Sequence, residues 1–184
     1  MTKDYLISAN FSLKEFIHSE EAGIDVLITP IQLLLLKKLV YNIMQPIRFW
    51  YGKPIYISSG VRNKAIMNTL RKKGYAVSSR TDHSYSDPEV NQFGTGACDF
   101  CVNNNKDLVG IYTWVKRHID RELIGQMIIY IKTKNQMGNF IHISNSIMEY
   151  GIAIKEYQYK KMFLMKRNGH YLEPDFTILK KEIK

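Results

Sequence analysis

The sequence predicts an α+β fold, with helices first and a small antiparallel sheet after them. Three observations predict it. Between Thr29 and Gly74, apolar residues recur at three- and four-residue spacings, the period of a helix with one buried face. From residue 97 onward, short apolar runs bounded by polar turns take over, the mark of strands. A chain of 184 residues with 45% hydrophobic and 12% aromatic content is long and apolar enough for one packed domain and short for two. Residues 1–184 are therefore expected to form a single domain, with residues 146–184 as a basic C-terminal extension.

The elements follow in order. Phe11 opens a short segment with a helix start, Ser12 as N-cap and Glu15 three positions on, a capping box. Thr29-Pro30 starts a second helix, with proline in its first turn. Leu33, Leu36, Val40, Ile43 and Ile47 make its apolar face, and Pro46 inside that pattern predicts a kink or break. Gly52-Lys53-Pro54 is a turn and Ile55-Tyr56-Ile57 a short strand. Residues 63–73 read as a third helix, ended by Gly74. Residues 78–95 have no period and are rich in Ser, Asp, Asn and Gly, a long loop of the kind that usually carries function. Residues 97–102 are a strand, 108–118 a helix, and 127–131 and 140–144 two strands joined by a polar turn over 132–139. A basic, Tyr-rich tail starts at Ile152.

Charge and composition limit the function. The net charge of +9, from 26 Lys and Arg against 17 Asp and Glu, suits an anionic partner such as nucleic acid, teichoic acid or an acidic capsid lumen; Lys-rich solvated faces would explain it equally well. Residues 155–184 hold eight Lys or Arg and four acids with tyrosines interleaved, yet no nucleic-acid-binding motif accompanies them, so nucleic acid is not the expected partner. The start Met1-Thr2-Lys3-Asp4-Tyr5 lacks the basic region and apolar run of a signal peptide, and no run approaches a membrane span. The expectation is a soluble chain made in a cytoplasm, without a membrane partner.

The candidate chemistry lies in a few side chains. Cys98 and Cys101 stand as C-x-x-C, but a zinc ribbon needs a second pair and a redox motif opens a helix, so both read as small residues on a strand. Of five histidines, His18 and His118 fall among charged residues and read as surface groups, and His170 in Asn168-Gly169-His170 reads as a turn. His83 lies in the long polar loop. His142 interrupts an apolar strand whose neighbours Ile141 and Ile143 point the other way, so its own face is polar or a site. Asp99 is an acid within the strand Ala97-Cys98-Asp99-Phe100-Cys101 and needs a partner, because burying a lone carboxylate is unfavourable. Two imidazoles and a carboxylate are a sound zinc set that leaves a fourth position open. Pairing of Asp99 with Arg62 or a lysine would account for the acid without a metal.

These residues belong to a longer pattern. Ser58-Ser59-Gly60-Val61-Arg62 with Asn68, then His83, then Gly96-Ala97-Cys98-Asp99-Phe100, then Phe140-Ile141-His142-Ile143-Ser144, resembles the zinc peptidases that include D-alanyl-D-alanine carboxypeptidases and phage L-alanyl-D-glutamate endopeptidases. Their pattern is S-G-Y-R, a downstream N, S-x-H-x-x-G-x-A-x-D, and a last H on a strand. Phe11-Ser12-Leu13-Lys14-Glu15-Phe16, residues 19–30, Gln45-Pro46-Ile47-Arg48 and Gln126-Met127-Ile128-Ile129 resemble further segments of the phage and prophage members. The likeness covers about residues 10–145.

The resemblance implies Zn2+ held by His83, Asp99 and His142, and Arg62 steadying substrate or the oxyanion; a structural pairing of Arg62 with Asp99 is the alternative. It implies hydrolysis of peptidoglycan stem peptides, for lysis or entry, by a phage-encoded protein, with other virion proteins as further partners. The alternative is a catalytically inactive structural or wall-binding module of a virion. The sequence departs from the pattern in three ways. Sixteen positions separate His83 from Asp99 where the pattern has seven, the extra residues lying around 85–93, as a lid, a partner contact or a disruption of the site. Thr81 and Thr95 stand at the pattern's Ser and Gly. The general base is unassigned: Asn139 and Tyr130 occupy positions where relatives carry an acid. Tyr130 can polarise a carbonyl but is a poor base at neutral pH, and Asp82, Asp87 and Glu89 are the nearby acids.

Overall fold

A computed structural model describes residues 5–79, 81–90, 95–131, 138–146, 163–167 and 170–172. Residues 132–137 of the expected turn at 132–139, residues 91–94 of the long loop, and most of the tail from 152 lie outside the described residues. The architecture is α+β. Two short hairpins, β1 (Leu6–Ser8) with β2 (Phe11–Ser12) and β3 (His18–Ser19) with β4 (Ile24–Asp25), flank the one-turn helix α1 (Lys14–Ile17). Helices α2 (Pro30–Leu39) and α3 (Gln45–Tyr51) follow, then β5 (Tyr56–Ser59), α4 (Lys64–Lys72), β6 (Ala97–Cys101), α5 (Asp107–His118), β7 (Ile124–Tyr130), β8 (Phe140–Asn145), β9 (Phe163–Arg167) and β10 (His170–Leu172).

Local chemistry explains the helices. Ser12 caps α1 only in part: its backbone N–H donates to Glu15 at 2.7 Å, but the residue preceding the helix is Leu13, which offers no side-chain cap. The complete capping box is on α2, where Thr29 Oγ1 accepts from Gln32 N–H and Gln32 Oε1 accepts from Thr29 N–H. Pro46 acts as expected, one turn earlier than itself. Proline donates no N–H and crowds the carbonyl four residues back, and the chain answers with a π-helical turn over Val40–Met44, in which Gln45 N–H reaches Val40 O. The buried face of α2 and this turn is broader than the spacing suggested: Leu35, Leu39 and Met44 join Leu36, Val40, Ile43 and Ile47, while Leu33 is only half-buried.

The main sheet has six strands in the order β10-β9-β7-β8-β6-β5. From β7 to β5 all pairings are antiparallel, as expected; β9 runs parallel to β7, so the sheet is mixed. Part of the C-terminal extension covers the outer edge of β7, where a bare strand would invite foreign pairing. His170 is no turn residue: it opens β10 opposite Arg167.

Strand alternation divides the sheet into two faces. Cys98, Phe100, Met127, Ile129, Ile141 and Ile143 enter the core, where α5 packs on β7 and β8, α3 meets α5, and Asn145 Nδ2 donates to Leu35 O on α2. Each fully buried Phe or Ile contributes roughly 1.5–3 kcal/mol. The register lines up Ile128, His142, Asp99 and Ser59 across four strands on the opposite face.

Gly60 sits where α1 and β5 meet. Val61 N–H donates to Phe16 O at 2.7 Å, and a Cβ on Gly60 would collide with that same carbonyl. Gly110, exposed in mid-α5, has nothing near it. Gly60→Ala is therefore expected to destabilise the protein by about 2 kcal/mol or more, and Gly110→Ala to stabilise it by about 0.5–1 kcal/mol. Urea denaturation of the two variants checks both signs.

Candidate metal centre

The polar face of the sheet floors a cavity of about 980 Å³. Asp99 and His142 enter it from β6 and β8 as direct cross-strand partners. His83 comes from a 3₁₀ turn, Asp82–Ser84, preceded by Thr81, whose hydroxyl accepts from His83 N–H at 3.3 Å. Residues far apart in sequence thus converge, all three buried. His142 Nδ1 lies 2.8 Å from Asp99 Oδ1 and 3.3 Å from His83 Nε2, and His83 Nε2 lies 3.3 Å from Asp99 Oδ1. This group can hold a metal ion.

Hydrogen bonding fixes the roles of the ring nitrogens. His83 Nδ1 is 2.7 Å from Gly60 O. A carbonyl only accepts, so Nδ1 carries the proton and Nε2 turns its lone pair toward Asp99 and His142. Burial keeps the ring neutral: it lowers the His83 pKa below the ordinary value, helped by the positive Arg62 and by His142, against the opposing pull of Asp99. For Asp99, burial alone would raise the pKa, but the imidazoles beside it, with His142 Nδ1 donating at 2.8 Å, more than reverse that and hold the carboxyl well below the usual range. Its second oxygen faces Arg62: Oδ2 lies 3.3 Å from a terminal guanidinium nitrogen, while Arg62 Nε donates to Ser59 Oγ at 2.8 Å. The structural pairing of Arg62 with Asp99 is thus present, and Arg62 also lines the cavity.

The other sequence candidates divide. Tyr130 stands on the cavity wall, stacked on Phe140 with ring centroids 4.3 Å apart. Asn139 and Asp82 also line the cavity; Asp87 and Glu89 do not, and Asn68 is exposed on α4 away from it. Cys98 faces the core against Met44 Sδ and Cys101 faces the cavity, so the two thiols lie on opposite sides of β6. Burial raises both pKa values, Cys98 the further, and keeps them protonated. His18 pairs with Asp25 on the surface, and His118 stacks on Trp114.

Sequence reasoning missed three contributors. The Gly60 carbonyl orients His83, and the S-G pair was its only signal. Ser59 holds Arg62. Glu21, from the β3–β4 turn, is a third carboxylate on the cavity wall beside Asp82 and Asp99, and Lys73 Nζ donating to its carbonyl ties that turn to the end of α4.

Compared with protein-family models, with curated proteins and with solved structures, the chain matches none.

The pKa shifts set a pH dependence for the metal-free protein. Both groups have lowered values in the folded state, so both stabilise at high pH and lose that contribution as pH falls. Stability should decline below about 6.5, where the unfolded chain takes a proton at position 83 that the folded protein refuses, and again below about 4, where Asp99 protonates first in the unfolded chain. Urea midpoints from pH 8 to 3 in the presence of a chelator check this: His83→Ala should remove the first limb and Asp99→Asn reduce the second. A wild-type curve flat from pH 7 to 5 would contradict the buried neutral His83.

Proposed function

We propose that the protein is a zinc-dependent peptidase of bacterial cell-wall stem peptides, of the kind phages encode. The observation that carries this reading is the ligand triangle. A tetrahedral zinc site with bonds of about 2.0–2.1 Å has ligand atoms about 3.3 Å apart. Two edges here measure 3.3 Å, and the third, 2.8 Å, is a hydrogen bond that must open by about half an ångström. The electrostatics support a cation as well. His83 Nε2 and Asp99 Oδ1 face each other with lone pairs, and His142 Nδ1, the one ring nitrogen that approaches both, lies 2.8 Å from Asp99 Oδ1 and 3.3 Å from His83 Nε2. The same donor set also serves ferrous iron; the resemblance of the surrounding motifs favours zinc.

Bound there, zinc would supply a Lewis acid that lowers the pKa of water and polarises an amide carbonyl. The chain's own groups do the rest. Gly60 holds His83 in the tautomer that presents Nε2. Arg62, engaging Asp99 Oδ2, leaves Oδ1 to the metal. The guanidinium also puts a fixed positive charge on the cavity wall, where a tetrahedral oxyanion would develop. Tyr130 can donate its hydroxyl proton to the substrate carbonyl. The proton acceptor comes from the remaining wall carboxylates, Glu21 or Asp82.

The test is digestion of purified peptidoglycan and synthetic stem peptides by zinc-loaded protein, with new amino termini identified by mass spectrometry. Cleavage is expected, with abolition by chelator and by His142→Ala and a loss of about 10²–10³ in kcat for Arg62→Lys. No cleavage at full zinc occupancy would overturn the enzyme and leave the inactive module, the reading that Asn139 and Tyr130, standing in for acids, favour.

A further inference from the structure

The residues between His83 and Asp99 that the sequence marks as an insertion do not enter the cavity where they are described: Ser84 to Val90 contribute nothing to its wall. Their first large side chain does something else. Tyr85 is fully buried, although its backbone has φ of +50° and the next residue, Ser86, has +60°. Two successive side-chain-bearing residues in the left-handed region persist only where surrounding structure holds them. Here the hold is specific. Tyr85 donates its hydroxyl proton to Ala97 O at 2.8 Å. Its ring occupies the space of the Cβ that Gly96 lacks, with Cε1 2.8 Å from that position, and Gly96 has a φ of +107° that disfavours any other residue.

The backbone on both sides of His83 is thereby sewn to the start of β6. Gly96 N–H donates to Asp82 O at 3.0 Å, and Asn145 N–H donates to Gly96 O at 3.0 Å, which brings β8 into the same seam. Gln32 Nε2 reaches Ser84 O at 3.1 Å from α2, and Arg62 N–H reaches His83 O at 2.7 Å. Asp99 and His142 lie on the strands this seam joins.

We infer that Tyr85 is the positioning residue that sets His83 against Asp99 and His142, and that it makes the triad independent of how long the chain runs on before Gly96. It is not a catalytic residue, since it acts only through the His83 turn. The inference concerns the metal centre proposed above but rests on metal binding only in one of its two tests.

The first test is amide hydrogen exchange in the metal-free protein. Tyr85→Phe keeps the ring and removes the bond to Ala97; exchange at the Gly96 and Arg62 amides should quicken about tenfold while the core amides of β7 and β8 are unchanged. The second is zinc affinity by chelator competition, which should weaken about tenfold in Tyr85→Phe, the scale of losing a group that orients a metal ligand. In a His83→Ala background the same substitution should have no further effect on affinity; a merely structural role would lower overall stability and act equally in both backgrounds. Unchanged exchange and affinity in a folded Tyr85→Phe would overturn the inference. Should that variant not fold, Gln32→Glu, which keeps the α2 cap and loses the donor to Ser84, must show the same local loosening, and its absence would overturn the inference equally. Wild-type protein that takes no zinc would refute the metal reading, and the exchange result would then decide the role of Tyr85 alone.

Discussion

An ionised carboxylate inside a protein is unfavourable unless donors and cations surround it, and the arrangement around Asp99 meets that demand on each side. Arg62 faces one oxygen, and His142 and His83 face the other. Each of these partners is itself fixed by a different part of the chain: Arg62 by Ser59 at the end of β5, His83 by the Gly60 carbonyl, His142 by its place opposite Asp99 in the sheet. Gly60 in turn can sit where it does only because no Cβ meets the Phe16 carbonyl at the end of α1. The N-terminal hairpins and helix, which supply none of the three candidate ligands, therefore take part in the geometry of the site.

The same arrangement explains why the pair of Arg62 with Asp99 does not replace a metal. Arg62 balances the charge of the carboxylate and takes up its outer oxygen, but it offers nothing to His83 Nε2. That nitrogen cannot carry a proton while Nδ1 donates to Gly60, unless the ring becomes a cation, which burial opposes. A lone pair aimed at a carboxylate oxygen 3.3 Å away is a configuration that a cation between them relieves. Arg62 and a metal ion would thus be complementary: the first engages and orients the outer oxygen of Asp99, and the second would satisfy the inward-facing acceptors.

Much of this was legible in the sequence because it rests on local rules. His142 and Asp99 each break an apolar strand, and strand alternation alone places them on the face away from the core. Pro46 announced an irregular helix, and Asn63 and Gly74 marked the ends of α4. What could not be read was non-local. The Gly60 carbonyl has no side chain to advertise it, and its role appears only when residues 60 and 83 meet. Glu21 is one acid among several in an acidic turn until the fold sets it on the cavity wall. Tyr85 resembles any aromatic in a polar loop, and its value comes from Gly96, eleven positions on. The C-terminal strands were missed because a four-residue apolar run, 162–165, flanked by basic residues carries little periodic signal, and because pairing with β7 is parallel and distant in sequence.

The most direct test of a zinc centre at His83, Asp99 and His142 is X-ray absorption at the edge of whatever metal the purified protein carries, with elemental analysis for its identity and amount. The predicted result is about one zinc per chain, surrounded by nitrogen and oxygen donors with imidazole scattering and no sulfur. Sulfur in the coordination sphere would move the site to Cys98 or Cys101, and a protein that retains no metal after zinc is supplied would leave the triad a hydrogen-bonded cluster; either result would contradict the proposed centre.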